Sequence, residues 1–230
     1  SRSRVTQAWV RTNISTSLKM GLPIMLSVSV VSLGHLGARD IIARDLGLEM
    51  LGLFTGAWMI SQYYIAFLYS AITMDFYPKV SEIKEQFDQV KILINDQVRL
   101  GLLFTTPLFV GMISFSEEIL LVVFSESFTS AAQTLKWFVL GDIVKTVCHP
   151  LNSVMLAYAD NNRYLFLRLL TMGIFVLGII FLVPNVGIEG AGIAYLIMYL
   201  VYLVIIFISI HQRNGWSIAG AEVRLAASAF

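Results

Sequence analysis

The chain has 230 residues, of which 57% are hydrophobic and only 13% are charged, with a formal net charge of +1. Globular domains carry about 25% charged residues, so this chain has too few polar groups to cover a soluble core. The composition excludes an ordinary soluble domain and predicts an all-α integral membrane protein.

Six stretches are long and apolar enough to span a bilayer, since a transmembrane helix needs roughly 20 mainly apolar residues at 1.5 Å of rise per residue. In chain order these stretches are about 20–38, 50–75, 99–116, 132–157, 164–183 and 190–210. We therefore expect a six-helix transmembrane bundle over residues 20–210. Residues 1–19 are expected to be a basic cytoplasmic lead-in, and residues 211–230 a truncated cytoplasmic tail. The start at Ser1 indicates a fragment of a longer protein.

Residues 82–97, between the second and third stretches, alternate charged and apolar residues at helical spacing. The apolar positions are Ile83, Phe87, Val90 and Ile94. This pattern is typical of an amphipathic helix that lies on the membrane surface.

The basic residues divide unevenly between alternate loops. Twelve of the sixteen fall on the side of the N-terminus: Arg2, Arg4, Arg11, Lys19, Lys79, Lys84, Lys91, Arg99, Arg163, Arg168, Arg213 and Arg224. Arg39, Arg44 and Lys136 fall on the opposite side, and Lys145 lies within a span. Because cytoplasmic loops carry the excess of Lys and Arg, we expect a cytoplasmic N-terminus and an even number of crossings.

The fourth stretch carries a line of polar residues. Asp142, Lys145, His149 and Asn152 lie at i, i+3, i+7 and i+10, which places them on one narrow face of a helix. An ionisable group at bilayer depth costs roughly 2.5–3.5 kcal/mol on insertion scales, so this face is expected to meet other helices or a water-filled cavity. Two interpretations stay open: an Asp142–Lys145 ion pair that holds helices together, or a hydrated substrate pathway.

Polar residues in the first two stretches are weaker candidates. Ser32, His35 and Arg39 share one face of the first stretch, and Arg39 lies near its outer end, where a long side chain can reach the interface. Arg39 is therefore either a membrane-edge charge or a cavity contact, and His35 either a packing residue or a cavity contact. Asp75, at the end of the second stretch, is either a structural cap or a gating residue.

Motifs for cofactors and catalysis are absent from the sequence. There is no Gly-rich phosphate loop and no HExxH or CxxC spacing, and the three histidines lie in different segments. A GxSxG nucleophile motif is missing, and the dispersed basic residues form no groove for nucleic acid. The sequence therefore shows no catalytic constellation, and we expect neither a cofactor nor a metal.

Four segments, in chain order, carry a resemblance to a known family. They are residues 43–54 (ARDLGLEMLGLF), 74–79 (MDFYPK), 137–145 (WFVLGDIVK) and 187–199 (GIEGAGIAYLIMY). Their ordered combination, over roughly residues 18–215, is similar to the Wzx-type O-antigen translocases. These are polysaccharide flippases of the multidrug/oligosaccharidyl-lipid/polysaccharide superfamily.

The resemblance implies a flippase that moves an undecaprenyl-pyrophosphate-linked oligosaccharide from the inner to the outer leaflet of the bacterial inner membrane. Members of the family have two six-helix lobes around a cavity that opens alternately to each side, and this chain resembles the second lobe. The implied partners are the lipid-linked oligosaccharide, the bilayer, the missing N-terminal lobe, and a polysaccharide polymerase with its chain-length regulator.

The polar residues then acquire expected roles in binding the anionic headgroup. Lys145 is expected to be the deepest cationic contact. The further cavity contacts are His149, Asn152, His35 and Arg39. Asp142 and Asp75 are candidates for coupling to an ion gradient or for gating.

Three alternatives differ from this interpretation in class. A cation-coupled multidrug exporter of the same superfamily should favour acidic residues in its cavity, whereas this stripe contains a lysine and a histidine. A membrane glycan polymerase typically has a large basic outer loop, but residues 117–131 carry three acidic residues and no basic one. The third alternative is a scaffold of the polysaccharide assembly complex.

Overall fold

The computed structural model describes residues 7–158 and 160–214, and these are almost entirely helical. The first six residues of the expected lead-in and most of the expected tail, residues 215–230, lie outside this range. In chain order the elements are α1 Gln7–Leu46, α2 Leu48–Thr73, α3 Phe76–Ile83, α4 Phe87–Ser114, α5 Ser116–Val123, a 3₁₀ turn Glu126–Ala131, α6 Ala132–Ala157, α7 Asn161–Val186 and α8 Glu189–Asn214. No strand occurs among the described residues.

Six helices have 26 residues or more, and each of them contains or coincides with most of one stretch expected to span the membrane. A helix of 26 residues is about 39 Å long, enough to cross a hydrocarbon core of about 30 Å. Within the described part of the chain, four of these helices are also apolar enough to cross a membrane. They are α4, α7, the part of α1 from residue 21 to 46, and the part of α8 from residue 189 to 209. The expected count of six crossings therefore exceeds the four that length and composition support. In α6, Asp142, Lys145 and His149 interrupt the apolar sequence.

Residues 82–97 differ from the single surface helix that their pattern indicates. Helix α3 ends at Ile83, the amide of Gln86 donates to the carbonyl of Ile83 at 2.7 Å, and α4 then continues without a break to Ser114. Val90 and Ile94 are fully buried. Val90 and Ile94 therefore pack against the protein, whereas Phe87 on the same face is 46% exposed. The location of this segment on a membrane surface stays a prediction.

Helix α6 is the central element of the bundle, with 16 of its 26 residues buried. It packs closely against α8, because a Cβ atom at Gly141 would lie 2.5 Å from the ring of Tyr195. Small residues allow such approaches between membrane helices. Helix α7 contacts α8 in the same way, since a Cβ at Gly190 would lie 2.6 Å from the backbone of Leu182. The polar stripe of α6 therefore faces neighbouring helices.

An aromatic cluster joins α2, α6, α7 and α8 next to that stripe. The ring of Trp58 lies 5.3 Å from Phe138 and 5.3 Å from Tyr195, both in edge-to-face arrangements. The ring of Phe175 lies 6.2 Å from Tyr195. Aromatic pairs prefer this geometry, and together they hold the Tyr195 ring, and with it the Tyr195 hydroxyl, in a fixed position beside α6.

Candidate functional site

Four of the residues singled out by the sequence line one cavity. Lys145, His149 and Asn152 of α6 and His35 of α1 surround a space of about 200 Å³. Helices α2, α7 and α8 complete the wall, mainly with aromatic, amide and guanidinium groups: Trp58, Gln62, Arg168, Tyr195, Tyr199 and Tyr202. The cavity therefore combines cationic groups with hydrogen-bonding groups inside a largely apolar bundle.

Lys145 lies at the centre of the polar contacts. Its Nζ donates to Oε1 of Gln62 at 2.7 Å and to the hydroxyl of Tyr195 at 3.4 Å. The same ammonium lies 3.8 Å from Oδ1 of Asp142 and 5.9 Å from the ring centroids of Tyr69 and Tyr199. The Lys145 side chain is nevertheless 20% exposed, so its charge remains accessible from the cavity.

Asp142 is the acidic partner of Lys145, but it does not line the cavity. It is 0% exposed. Its Oδ2 accepts a short hydrogen bond from Ser61, and its Oδ1 accepts one from the hydroxyl of Tyr195 at 2.7 Å. Both carboxylate oxygens are therefore occupied. The ion pair of the first interpretation is therefore present, and Lys145 also lines the cavity. A hydrated substrate pathway stays a prediction.

The remaining polar residues of the stripe have individual environments. The ring of His149 lies 4.5 Å from that of Tyr69, and its Nδ1 is buried without a hydrogen-bond partner in the described structure. Oδ1 of Asn152 accepts a hydrogen bond from Tyr202. The ring of His35 packs 4.6 Å from Trp58. His149 thus keeps an unused nitrogen beside the cavity.

Arg39 and Asp75 lie apart from this cavity. Arg39 is exposed near the C-terminal end of α1 and is not among the lining residues. Asp75 precedes α3, is exposed, and its carboxylate makes no capping hydrogen bond to that helix. The structure therefore brings together five of the seven candidate residues. Four of them line the cavity, and Asp142 lies behind the cavity wall.

Arg168 is the main cavity residue that the sequence pattern does not predict. The count of basic residues predicts a cytoplasmic loop end for it, although it falls inside the stretch 164–183. In the structure it lines the cavity from α7, and its Nε and Nη2 donate to the hydroxyl of Tyr164 at 3.1 and 2.9 Å. No carboxylate lies within 4 Å of it among the described residues. Its position seven residues inside an apolar helix was the available signal.

The charges around the cavity favour an anionic ligand. Two cations, Lys145 and Arg168, face it, while the single acid of the site, Asp142, is enclosed by hydrogen bonds. Phosphates are commonly bound by lysine and arginine together with neutral hydrogen-bond donors. Within the described residues, no group of three His, Cys, Asp or Glu side chains is placed to hold a metal ion.

Comparison with solved structures identifies the fold. The chain superposes with a TM-score of 0.71 on an outward-facing multidrug resistance MATE family transporter of the MOP superfamily, and equally well on a MOP superfamily transporter from Pyrococcus furiosus. Both matches have 15% sequence identity and cover 91% of this chain and 49% of the other. The chain therefore has the fold of about half of such a transporter, and we regard it as a multi-pass membrane protein.

Sequence relatives come from bacteria and an archaeon. The chain is 23% identical over 189 residues to the lipid III flippases of Escherichia coli and Shigella flexneri, covering 80% of this chain and 44% of those proteins. It is 28% identical over 241 residues to a probable low-salt glycan biosynthesis flippase of Haloferax volcanii, covering 92% of this chain and 50% of that protein. The chain spans about half the length of these relatives.

A family match covers more than half of the chain. Residues 1–133 match the family described as polysaccharide biosynthesis protein, and the match includes α1 and α2, which bring His35 and Gln62 to the cavity. The protein belongs to this polysaccharide biosynthesis family.

Proposed function

We propose that the protein is a flippase, or one lobe of it, that moves a lipid-linked oligosaccharide across a membrane. The observation that carries this proposal is the cationic cavity around Lys145 inside a bundle of the MOP transporter fold. The names of the sequence relatives, which are flippases, support the same class. No catalytic constellation is needed for this activity, because no covalent bond changes.

The physical problem is to carry a charged headgroup through about 30 Å of hydrocarbon. An ammonium group, amides and tyrosine hydroxyls can replace the water that the headgroup loses, while its lipid tail stays in the bilayer. Lys145 is suited to this role because Gln62 and Asp142 hold it in place and leave part of its surface open to the cavity. A phosphate oxygen entering the cavity would compete with these partners for the same ammonium.

The finer form of the proposal concerns the cargo and its direction. We propose an undecaprenyl-pyrophosphate-linked O-antigen oligosaccharide as substrate, carried outward across the bacterial inner membrane by alternating access. The N-terminus of this chain is then cytoplasmic and the bundle has six crossings. A second lobe would complete the cavity, and the polysaccharide polymerase and chain-length regulator would be partners.

The individual residues receive proposed roles on this basis. His149, Asn152 and His35 would contact the headgroup beside Lys145, and Asp142 would couple the site to protons or ions by exchanging its partner. Arg39 and Asp75 lie outside the present cavity, so a role for them requires another conformation or the second lobe.

A multidrug exporter is disfavoured by the polarity of the site. A cationic drug carried through an apolar bundle needs an accessible anionic partner, and the one carboxylate here, Asp142, is enclosed by Ser61 and Tyr195. The charged groups that face the cavity are both positive. Growth of an expressing strain on a panel of cationic drugs, unchanged by the protein, is the expected result.

Lys145→Gln tests the proposal in the intact protein that carries this chain, expressed in a strain lacking its own O-antigen flippase. Surface glycan should fall at least tenfold, because a charge-assisted hydrogen bond contributes roughly 1.5–3 kcal/mol. Lys136→Gln is the matched control, since Lys136 lies on the same helix and outside the cavity. Normal glycan display by Lys145→Gln, at equal membrane level, would remove Lys145 from the mechanism.

The pair itself is tested by a double-mutant cycle. Asp142→Asn, Lys145→Gln and the double variant should be non-additive, because the two groups lie 3.8 Å apart. Additive effects on glycan display would show that the two residues act independently.

A further inference from the structure

A second, smaller crevice lies between α1 and α7. Its volume is about 190 Å³, and it is lined by Ser27, Val28, Val31, Ser32, Tyr164 and Arg168. Val28 is 61% exposed and Ser32 is also exposed, so the crevice opens on the outer surface of the two helices. Arg168 and Val31 line the central cavity as well. Their side chains therefore form the wall between the crevice and the cavity.

Arg168 has unused binding capacity at this wall. A guanidinium carries five N–H donors, and the Nε and Nη2 groups of Arg168 are directed at a single acceptor, the hydroxyl of Tyr164. The Arg168 Cζ atom also lies over the Tyr164 ring, 5.1 Å from the ring centroid. Among the described residues no carboxylate neutralises the charge within 4 Å. A cation inside an apolar span needs water or an anion beside it.

We propose that this crevice is a binding site for the phosphate group of a membrane lipid, and that Arg168 transfers this group between the crevice and the central cavity. The inference deepens the proposed function and rests on it in one respect, that the cargo has an anionic lipid headgroup. The crevice supplies a cation, a tyrosine hydroxyl and a serine at an opening on the bundle surface, where a lipid tail can remain in the bilayer.

The positions of the two cations fit a transfer over a short distance. Arg168 lies seven residues from the start of α7, or about 10 Å along the helix, and Lys145 lies twelve residues from the end of α6, or about 18 Å. The two helix ends are joined by residues 158–160, so both distances are measured from the same side of the bundle. Measured along the helix axes, Lys145 therefore lies roughly 7–8 Å deeper than Arg168, about one and a half helical turns.

His149 lines the same cavity as the two cations. Its buried Nδ1 has no hydrogen-bond partner in the described structure. An unpartnered buried nitrogen is costly, and a phosphate oxygen or its water would satisfy it during transfer.

The test is binding of a fluorescent polyisoprenyl diphosphate to the intact protein in phosphatidylcholine nanodiscs, followed by fluorescence anisotropy. Arg168→Gln should weaken binding about tenfold or more, as expected for loss of charge-assisted hydrogen bonds, and Arg168→Lys should weaken it less. Ser32→Leu should also weaken binding, because it fills the crevice without changing a charge. Arg163→Gln and Ser29→Leu are the matched controls on α7 and α1, since neither residue lines the crevice.

Competitors distinguish the source of the phosphate. Unlabelled polyisoprenyl monophosphate should displace the probe, whereas inorganic pyrophosphate at the same concentration should not. Equal displacement by inorganic pyrophosphate would overturn the assignment to a lipid headgroup.

The two proposals fail in different ways. If the wild-type protein binds the probe, and Lys145→Gln weakens binding while Arg168→Gln, Arg168→Lys and Ser32→Leu do not, the crevice proposal is wrong and the flippase proposal stands. If the wild-type protein neither binds the probe nor supports glycan display, the proposed function itself fails. Size-exclusion chromatography confirms folding, and Arg168→Lys and Ser32→Leu decide the matter if Arg168→Gln does not fold.

Discussion

Tyr195→Phe is the substitution that tests most directly how the buried charge pair is held. The change removes one hydroxyl, which donates to Oδ1 of Asp142 at 2.7 Å and accepts from Nε2 of Gln62 at 3.1 Å and from Lys145 at 3.4 Å. The ring keeps its edge-to-face contacts with Trp58. The variant therefore isolates the hydrogen bonds from the packing.

The expected size of the effect depends on the charge of Asp142. Hydrogen bonds to charged groups contribute roughly 1.5–3 kcal/mol, whereas interhelical hydrogen bonds in membrane proteins average about 0.6 kcal/mol. For a domain of this size, 1 kcal/mol shifts the melting temperature by about 2–4 °C. We therefore expect Tyr195→Phe to lower the melting temperature by about 3–12 °C.

The measurement is thermal unfolding of the purified protein in nanodiscs. Tyr199→Phe is the matched control, because Tyr199 is a buried tyrosine one turn further along α8, and the hydrogen bonds to Asp142 Oδ1, Gln62 and Lys145 come from Tyr195 instead. The control should melt within about 2 °C of wild type. A loss near 0.6 kcal/mol for Tyr195→Phe would refute the view that a carboxylate anion is held at this position.

Three further predictions concern packing and exposure. Gly141→Ala should destabilise the protein by about 1–3 kcal/mol through overpacking. Gly173→Ala is the control and should be neutral or slightly stabilising, because Gly173 has open space around it. Thermal unfolding of the two variants measures the difference. Cys148 is fully buried, so a membrane-permeant maleimide should label it only after denaturation, as judged by intact mass. Asp40→Asn should change the unfolding free energy by less than about 1 kcal/mol, because the Arg44–Asp40 pair is solvent-exposed.

The stripe on α6 could be predicted because it depends only on local geometry. Residues spaced by three and four along a helix share a face, and the cost of exposing Asp142 and Lys145 to hydrocarbon directs that face towards protein. Length and apolar composition likewise placed the long helices to within a few residues at most ends. These inferences need no knowledge of which helices become neighbours.

The partners of the stripe could not be predicted, because they come from distant segments. Gln62 is 83 residues from Lys145 in the chain, and Tyr195 is 53 residues from Asp142. Their roles depend on α2 and α8 packing against α6. Arg168 was assigned to a loop because counting basic residues near span ends does not separate a charge at the interface from one that is a few residues inside the bundle.

Under the proposed function, the pairing of Lys145 with Asp142 bears on how a bound phosphate would be released. Two unit charges 4 Å apart attract by about 4 kcal/mol at an effective dielectric constant of 20, so an unpaired lysine in this cavity would hold a phosphate strongly. Asp142 lies 3.8 Å from the ammonium and provides an attraction of similar size. Passage requires a site that binds well enough to admit an ion and weakly enough to let it leave. Because Ser61 and Tyr195 fix the carboxylate while the lysine is partly exposed, we propose that the lysine is the partner that exchanges, returning to Asp142 when a phosphate departs.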